Sequence, residues 1–435
     1  MLKTHQIVHN EKGHLLIGGI DTIELAKKYG TPLIVYDVEK IRENARAFLS
    51  TFARLGIKGK VAYASKAFSS LAIVQVMQEV GLHLDVVSLG ELHTALVAGF
   101  PPEKIQLHGN NKSVEEIELA IKNNIGCIVV DNFHDIELIE KTVEKHSRKI
   151  DVLIRVTPGI SASTHQYIDT GAEDSKFGFH MNSGQADEAF ALLLNHPSIR
   201  LKGIHFHIGS QIFNVGEYID SLEIVMEKIQ EWNLKTDYIP EVINVGGGFG
   251  IRYTDEDSPV ERSVFIEQIA KSLKNLSEKI GIPLPELWIE PGRSIVGDAA
   301  VTLYEIGSIK HIPGIRKYVS INGGMTDNIR PALYDANYEG VIANKAKEQP
   351  KEIVTIAGKC CESGDILVRD IQLCEVESGD ILAIFATGAY GYSMASHYNR
   401  LPKPAVVFVE EGKDQLVIRR ETVDDVIKND LFYHK

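Results

Sequence analysis

The stretch KVAYASK (60–66) is the first of eight short β-rich runs that recur, with helix-length segments between them, as far as residue 292. The other seven runs are HLDVVS (83–88), IQLHG (105–109), CIVVD (127–131), DVLIRVTP (151–158), LKGIHFHIG (201–209), EVINVGG (241–247) and ELWIEPG (286–292). Intervening segments such as VEEIELAIKNN (114–124) place apolar residues three and four apart, as amphipathic helices do. Eight strands alternating with helices over about 230 residues predict a closed parallel (β/α)8 barrel. A doubly wound open sheet is the alternative, although it more often has fewer strands in this length.

The pattern changes on both sides of this barrel. After residue 295, runs such as ILAIFAT (381–387) and PAVVFVEEGKDQLVIRR (404–420) are separated by Gly, Pro and charged turns. Such runs, with few helical stretches between them, predict an antiparallel β domain. The first 35 residues precede the barrel and are expected to join this β domain. We therefore predict a barrel over residues 36–282 and a β-rich domain made of residues 1–35 and 283–435.

The composition excludes several classes of protein. The chain has 435 residues and a net charge of −13, which disfavours non-specific binding to nucleic acid or to an anionic membrane. No apolar run approaches the roughly 18 residues of a membrane-spanning helix, and the N-terminus has no signal-peptide pattern. Four cysteines in a chain of this length do not make a disulfide framework, so reduced thiols in the cytoplasm are expected.

Two ionisable side chains mark the first two strands of the predicted barrel. Lys66 ends the first strand, and desolvation at such a place lowers the pKa of a lysine toward that of a usable amine nucleophile. Asp85 lies within an apolar run, where an unpaired carboxylate would be costly. The structural alternatives are a surface lysine at a strand end and a buried aspartate that accepts hydrogen bonds from loop backbone.

The last three strands end in further polar groups. His205 and His207 follow the sixth strand on one face; no acidic residue stands at a matching spacing, so a metal site is not predicted. Gly246, Gly247 and Gly248 follow the seventh strand, where many barrels bind phosphate through backbone N–H groups. A flexible turn is the alternative interpretation of these glycines. The eighth strand ends in EPGR (290–293), a carboxylate and a guanidinium held close by a turn.

These groups together have the chemistry that pyridoxal phosphate requires. The cofactor needs an amine for covalent attachment, N–H groups for its phosphate and a carboxylate that keeps its pyridine nitrogen protonated. A glutamate beside the ring nitrogen makes the cofactor a strong electron sink, which favours decarboxylation. An uncharged or cationic partner there would favour racemisation instead.

Ten ordered motifs over nearly the whole chain resemble the fold-type III pyridoxal-phosphate decarboxylases, and within them the branch that acts on diaminopimelate. The motifs are YASKAF, DVVSLGEL, HGNNKS, KFGFH, HFHIGSQ, GGGFG, EPGRSIVG, DNIRPALYDA, CCESGD and TGAYGYSM. A glycine cluster alone would be weak evidence, but these motifs in this order are specific.

The resemblance implies roles for the cofactor-binding residues. Lys66 would carry the cofactor, His207 would stack on its ring, and Asp85 would support the histidine region beside it. Glu290 would pair with the ring nitrogen, and Tyr390 would contact both cofactor and substrate. The implied phosphate-binding residues are Ser210, Gly246, Gly247, Gly248, Gly292 and Arg293.

The resemblance also implies how the substrate would be recognised. Diaminopimelate carries a second amino-acid head group, which calls for cations around its carboxylate and an anion beside its ammonium. Arg293, Arg330, Tyr334 and Glu362 occupy the matching positions, and the pair of arginines favours diaminopimelate over a simple diamine precursor. The structural alternatives are a surface salt bridge for Arg330 and a packed aromatic ring for Tyr334.

Cys361 matches the proton donor of this family, and its neighbourhood departs from the usual pattern. Lys359 and Cys360 stand where many relatives have proline and an apolar residue, so Cys360 competes with Cys361 for this role. The spacing to Glu362 favours Cys361. In this family the segment reaches into the partner subunit's site, so the resemblance implies a homodimer with shared active sites, in which the β-rich domain contributes substrate-binding and interface residues.

The sequence therefore predicts a cytoplasmic, pyridoxal-phosphate-dependent enzyme that converts meso-2,6-diaminopimelate to L-lysine and carbon dioxide. One alternative is a decarboxylase of the same fold that acts on another amino acid or on a carboxylated polyamine. The other is a non-catalytic regulator that binds pyridoxal phosphate, although the presence of Lys66, Glu290 and Cys361 argues against it.

Overall fold

The computed structural model describes residues 7–160 and 174–434, which fall into two compact units. The first, the barrel unit, comprises Glu43–Gly250 and Pro259–Ser294. The second, the β-rich unit, comprises the chain up to Arg42, the short segment Ile251–Ser258 and the chain from Ile295 onward. Among the described residues, no helix is both long enough and apolar enough to cross a membrane.

The described chain begins with a short hairpin and runs through a strand and a long helix into the barrel. These elements are β1 (Leu16–Ile17), β2 (Ile20–Asp21), α1 (Thr22–Tyr29), β3 (Leu33–Asp37) and α2 (Val38–Leu55).

Strands and helices then alternate through the barrel unit. In chain order they are β4 (Gly59–Ala64), α3 (Leu71–Val80), β5 (His83–Val86), α4 (Leu89–Val97), β6 (Ile105–Leu107), α5 (Val114–Lys122), β7 (Cys127–Val130), α6 (Phe133–His146), β8 (Ile150–Thr157), β9 (Phe179–His180), α7 (Gln185–Leu194), β10 (Ile199–His205), α8 (Gly216–Thr236), β11 (Val242–Asn244), α9 (Arg262–Ile280) and β12 (Glu286–Ile289). The eight strands β4, β5, β6, β7, β8, β10, β11 and β12 pair in parallel in that order. Strand β12 pairs with β4 and closes the ring, which confirms the predicted (β/α)8 barrel.

The barrel unit extends beyond the boundary expected at residue 282. Strand β12 begins at Glu286 and supplies the pairing that closes the ring, so a boundary at 282 omits the eighth strand. Side chains from opposite strands form a buried cluster, Cys127, Val129, Leu153, Val242 and Trp288. The barrel interior is therefore filled with side chains, and its functional groups must lie at the strand ends.

The loops at those strand ends are fixed by helix caps. Helices α3, α4, α5 and α6 begin after Ser70, Ser88, Ser113 and Asn132, whose side chains accept hydrogen bonds from backbone N–H groups of the first turn. Each such cap is worth about 1 kcal/mol. The carboxyl ends of the strands, with the turns that follow them, are called the barrel mouth below.

The β-rich unit is built on one large sheet. Its elements are α10 (Arg293–Val296), which begins in the barrel unit, β13 (Ala300–Ile312), β14 (Arg316–Ile321), α11 (Arg330–Tyr334), β15 (Gly340–Ile342), β16 (Glu352–Ala357), β17 (Ile366–Leu373), β18 (Ile381–Phe385), β19 (Ala405–Glu410), β20 (Lys413–Ile418) and α12 (Val423–Ile427). The sheet order is β17-β16-β14-β13-β3-β19-β20, and β18 joins β15 to β13. Most pairs are antiparallel as predicted, while β14–β16 and β3–β19 are parallel. Strand β3 lies between β13 and β19, so the N-terminal segment joins this sheet as predicted.

Candidate active site

The barrel mouth gathers the polar groups that the sequence singles out. Lys66 lies in the 3₁₀ turn Ser65–Ala67 directly after β4, with an exposed side chain. Its positive charge acts on Asp85 of β5 and on His207 beyond β10. Asp85 is buried, and burial raises the pKa of its carboxyl group. An ordinary surface lysine would also be exposed, so exposure does not distinguish Lys66 from one. Its assignment as a site residue rests on its proximity to Asp85 and His207.

Glu290 is a buried carboxylate of the barrel mouth that three polar side chains contact. It follows β12 and is only 6% exposed. Its Oε1 accepts from Asn244 Nδ2 at 2.6 Å and lies 3.0 Å from His108 Nε2, while its Oε2 lies 3.0 Å from His205 Nε2. Burial alone would raise the pKa of Glu290, but His108 and His205 outweigh it and hold the pKa well below its usual range. Glu290 is therefore ionised at neutral pH.

The two histidines that follow the sixth barrel strand contact different groups. Strand β10 ends at His205, so the strand alternation expected to put both on one face stops there. His205 contacts Glu290, whereas His207 Nδ1 accepts the N–H of Gly247 at 3.2 Å. Burial, then the charges of Lys66 and Arg155, hold the pKa of His207 well below its usual value. His207 is thus a neutral, half-buried ring beside the glycine loop.

The glycine loop packs too tightly to admit side chains. Gly246 and Gly248 have φ of 72° and 104°, in the left-handed region that favours glycine. A Cβ on Gly247 would lie 2.1 Å from the backbone oxygen of Glu290. Next to this loop, Arg293 Nη2 donates to Ser210 Oγ at 2.9 Å. Bare backbone beside a hydroxyl and a guanidinium is the donor set that a phosphate group requires.

Several buried polar atoms around the barrel mouth fit a bound cofactor. Within the described residues, Ser65 Oγ, Asp85 Oδ1, Gln106 Nε2 and His205 Nδ1 have no hydrogen-bond partner. Buried polar atoms are rarely left unpaired in a folded protein. Together with an ionised glutamate, a neutral imidazole and the glycine loop, they match pyridoxal phosphate, which presents a charged ring nitrogen, a hydroxyl and a phosphate.

Arg330 is the central cation among the predicted residues of the β-rich unit. It begins α11, is only 6% exposed, and hydrogen-bonds the hydroxyl of Tyr338. Its guanidinium carbon lies 4.7 Å from the ring centre of Tyr253 and 5.6 Å from that of Tyr338. Its Nε has no partner within the described residues, so a surface salt bridge does not describe it. Tyr334 ends the same helix and is half-buried, while Tyr390 acts electrostatically on Arg330 and has a φ of 62°.

The loop that carries the two adjacent cysteines is held by a buried carboxylate. Asp365 accepts the N–H of Met325 at 2.7 Å and that of Cys360 at 2.9 Å, and the next N–H, that of Cys361, donates to Asn399 Oδ1 at 2.7 Å. The Cys360 side chain is buried, and burial followed by the charge of Asp365 raises the pKa of its thiol to about 12. Cys361 and Glu362 are both exposed.

Some residues of the site lie outside the set that the sequence singled out. His108 and Asn244 both contact Glu290, and Arg155, at the end of β8, bonds Asp131 at 3.2 Å. His108 follows the third barrel strand and Arg155 lies in the fifth, so strand ends were the signal that could have found them. No sequence signal pointed to Tyr253, which precedes helix α9, or to Tyr338, which lies just beyond the motif DNIRPALYDA (327–336).

A protein-family model matches residues 38–297 of this chain. Its description is "Pyridoxal-dependent decarboxylase, pyridoxal binding domain". The match covers the barrel and every residue of the barrel mouth described above.

Curated relatives and solved structures extend the similarity over the whole chain. The chain is 58% identical over 412 residues to a diaminopimelate decarboxylase of Bacillus methanolicus, with 95% of each chain covered. It is 55% identical over 422 residues to that of Bacillus subtilis (strain 168), with 97% of this chain and 96% of the relative covered. The crystal structure of diaminopimelate decarboxylase from M. jannaschii in complex with L-lysine superimposes with a TM-score of 0.92 at 36% identity, covering 99% of both chains.

Proposed function

Because the chain belongs to the pyridoxal-dependent decarboxylases, and within them to the diaminopimelate decarboxylase family, we infer that it decarboxylates meso-2,6-diaminopimelate to L-lysine and carbon dioxide with pyridoxal phosphate as cofactor. This is a reaction of lysine biosynthesis. The observation that carries the inference is the 58% identity, over 95% of both chains, to a relative of that name. The barrel mouth supports it with an ionised Glu290, a glycine loop and Lys66.

The barrel residues have separate parts in holding the cofactor. We propose that Lys66 would hold it covalently, that His207 would lie against its ring as a neutral imidazole, and that Glu290 would accept a hydrogen bond from its protonated ring nitrogen. The phosphate would be bound by Ser210, Gly292, Arg293 and the glycine loop Gly246–Gly248. Asp85 would be a further buried polar group beside the cofactor. When bound, pyridoxal phosphate supplies the electron sink that lets an amino acid lose its carboxylate as carbon dioxide.

Cys361 is the better proton donor of the two adjacent cysteines. Its thiol is exposed and can meet a substrate, whereas the Cys360 thiol is buried beside Asp365 and its pKa is raised to about 12. A general acid works best when its pKa is near the operating pH. We therefore assign the proton delivered to the substrate carbon, after carbon dioxide leaves, to Cys361 Sγ.

The distal head group of the substrate needs both a cation and an anion. Arg330 is buried against two tyrosines with an unpaired Nε, which fits it to receive a carboxylate. Exposed Glu362 supplies the negative charge for the distal ammonium. Arg293, Tyr334 and Tyr390 complete the substrate-binding set that we propose.

We also propose a homodimer in which Cys361 and Glu362 of one subunit complete the site of the other. Both side chains are exposed in the single chain, as a shared site requires. The four cysteines are all free thiols, which agrees with a cytoplasmic location.

A product assay tests the proposed function. Purified protein with pyridoxal phosphate is offered meso-diaminopimelate, ornithine, arginine and lysine separately, and the products are identified by mass. We expect L-lysine from diaminopimelate alone, and none from the Lys66→Ala variant. Bound cofactor with no product from any of the four would instead favour another substrate with a distal carboxylate, or a non-catalytic binder.

A further inference from the structure

Two buried carboxylates of the barrel mouth share one imidazole. His108 Nε2 lies 3.0 Å from Glu290 Oε1 and 3.7 Å from Asp85 Oδ1, and all three side chains are at most 7% exposed. Burial alone would lower the pKa of His108, but Asp85 and Glu290 outweigh it and raise the pKa. His108 therefore lies between two carboxyl groups that both favour its protonated form.

His205 contacts the other oxygen of the same glutamate, but its pKa shifts in the opposite direction from that of His108. Its Nε2 lies 3.0 Å from Glu290 Oε2, and the ring packs edge-on against His108 with centres 5.0 Å apart. Burial lowers the pKa of His205 to about 4, so it is neutral at neutral pH. Because Glu290 is an ionised acceptor, the single ring hydrogen of His205 is on Nε2.

We propose that His108 and His205 are positioning residues for Glu290 with unequal parts: His108 supplies the positive charge that keeps Glu290 ionised beside Asp85, and His205 supplies a neutral hydrogen bond that fixes its second oxygen. The inference rests on the proposed function, in which Glu290 receives the ring nitrogen of the cofactor. Asn244 connects Glu290 to the glycine loop through two hydrogen bonds: its Nδ2 donates to Glu290 Oε1, and its Oδ1 accepts the N–H of Gly246.

Charged and titratable groups from most of the barrel strands face these carboxylates. They are Lys66 after β4, Asp85 in β5, His108 after β6, Arg155 in β8, His205 at the end of β10 and His207 beyond it, while Glu91 of α4 and Cys127 of β7 interact with them electrostatically. Of the described side chains that contact Glu290, His108 is the one whose protonated form the neighbouring carboxylates favour, since burial lowers the pKa of His205. Loss of His108 would leave Asp85 and Glu290 without a cation in contact, and the pocket would take up a proton more readily as the pH falls.

The decisive variant is His108→Gln, which removes the charge and keeps a polar side chain. The affinity of the apoprotein for pyridoxal phosphate is measured between about pH 6 and about pH 8.5. In wild type Glu290 stays ionised over this range. In His108→Gln its pKa rises because the positive charge beside it is lost, so the affinity should fall toward the acidic end, by about tenfold relative to wild type once nine-tenths of the Glu290 carboxyls are protonated and no longer bind the ring nitrogen. The visible absorbance of the bound cofactor should shift over the same pH interval.

His205→Gln tests the neutral hydrogen bond to Glu290 separately from the positive charge of His108. It keeps an N–H donor and removes no charge, so it should weaken cofactor binding by a similar factor at every pH. His83→Gln is the matched control, since His83 begins β5 at the opposite end of the barrel, where its ring stacks on Trp288 with centres 6.5 Å apart. This control should follow wild type throughout. A His108→Gln profile parallel to wild type would overturn the inference.

A measurement on the unaltered protein covers the case in which His108→Gln does not fold. Neutron diffraction from deuterated crystals should place deuterium on both ring nitrogens of His108 and only on Nε2 of His205. A singly deuterated His108 would also overturn the inference. Failure of the proposed function itself looks different, because wild-type protein would then bind no cofactor or form no lysine.

Discussion

At the scale of single residues, the adjacent cysteines differ in burial: Cys360 is buried and Cys361 is exposed, a difference that adds to the spacing argument for Cys361. We expect Cys361→Ser to lower kcat for lysine formation by about a hundredfold or more, the usual range for losing a general acid. Cys360→Ser should keep kcat within a few fold, because its thiol is buried beside Asp365. Steady-state rates and melting temperatures are measured for both. The assignment fails if Cys360→Ser is the inactive variant while it remains folded.

Arg330 carries the second prediction at this scale. Arg330→Ala should raise KM for diaminopimelate by about tenfold or more, because a charge-assisted hydrogen bond contributes about 1.5–3 kcal/mol. Arg330→Lys should recover only part of this loss, since a lysine cannot bind a carboxylate through two parallel hydrogen bonds. Arg316→Ala is the control, because its half-buried guanidinium contacts Asp370 in the same unit. An unchanged KM in Arg330→Ala would remove this residue from the substrate site.

The sequence predicted which polar residues lie together where a strand end marked them, and it did not do so where only packing brings them together. Lys66, His207, Glu290 and the glycine loop all follow barrel strands, and the structure puts them at one mouth. The opposite pKa shifts of His205 and His108 could not be predicted, because they depend on which carboxylates approach each ring. Likewise, burial against Tyr253 and Tyr338 distinguishes Arg330 from a surface arginine only in the folded chain.

At the scale of elements, periodicity predicted the eight barrel strands because each is short and apolar and because amphipathic helices separate them along the chain. It did not predict the parallel pairs β14–β16 and β3–β19. The residue pattern of a strand does not show which distant strand it pairs with or in which direction. The misplaced boundary at residue 282 has a similar cause. Strand β12 is assigned to the barrel by its partners β11 and β4, not by its own composition.

The glycine loop gives a prediction about a whole element. Gly247→Ala should weaken cofactor binding by about tenfold or more, because a Cβ there would lie 2.1 Å from the Glu290 backbone oxygen and the loop must shift. Gly90→Ala in α4 is the control: its Cβ would meet only Ser88 Oγ, at 3.8 Å, and alanine favours helix. Cofactor titration and thermal melting distinguish the two variants. Equal affinities would show that the loop tolerates displacement.

At the scale of the whole molecule, a shared site predicts complementation between inactive subunits. Lys66→Ala and Cys361→Ala homodimers should each be nearly inactive. If Cys361 serves the partner's site, each mixed dimer has one intact site, so a random equal mixture should regain about a quarter of wild-type activity. Activity is measured after the subunits are mixed under exchanging conditions, with dimer formation checked by sedimentation. No recovery despite exchange would mean that each site is built from one chain.

Strand β3 has a consequence for the order in which the chain is made. It leaves the ribosome early, yet its partners β13 and β19 come more than two hundred and sixty residues later. Until then its apolar run LIVY has both edges unpaired, a state that invites association with other chains. Stalled nascent chains that end before β13 should therefore sediment with chaperones or aggregates, while chains that include β19 should not. The first strand of the large sheet is thus the one that must be protected longest while the protein is being synthesised.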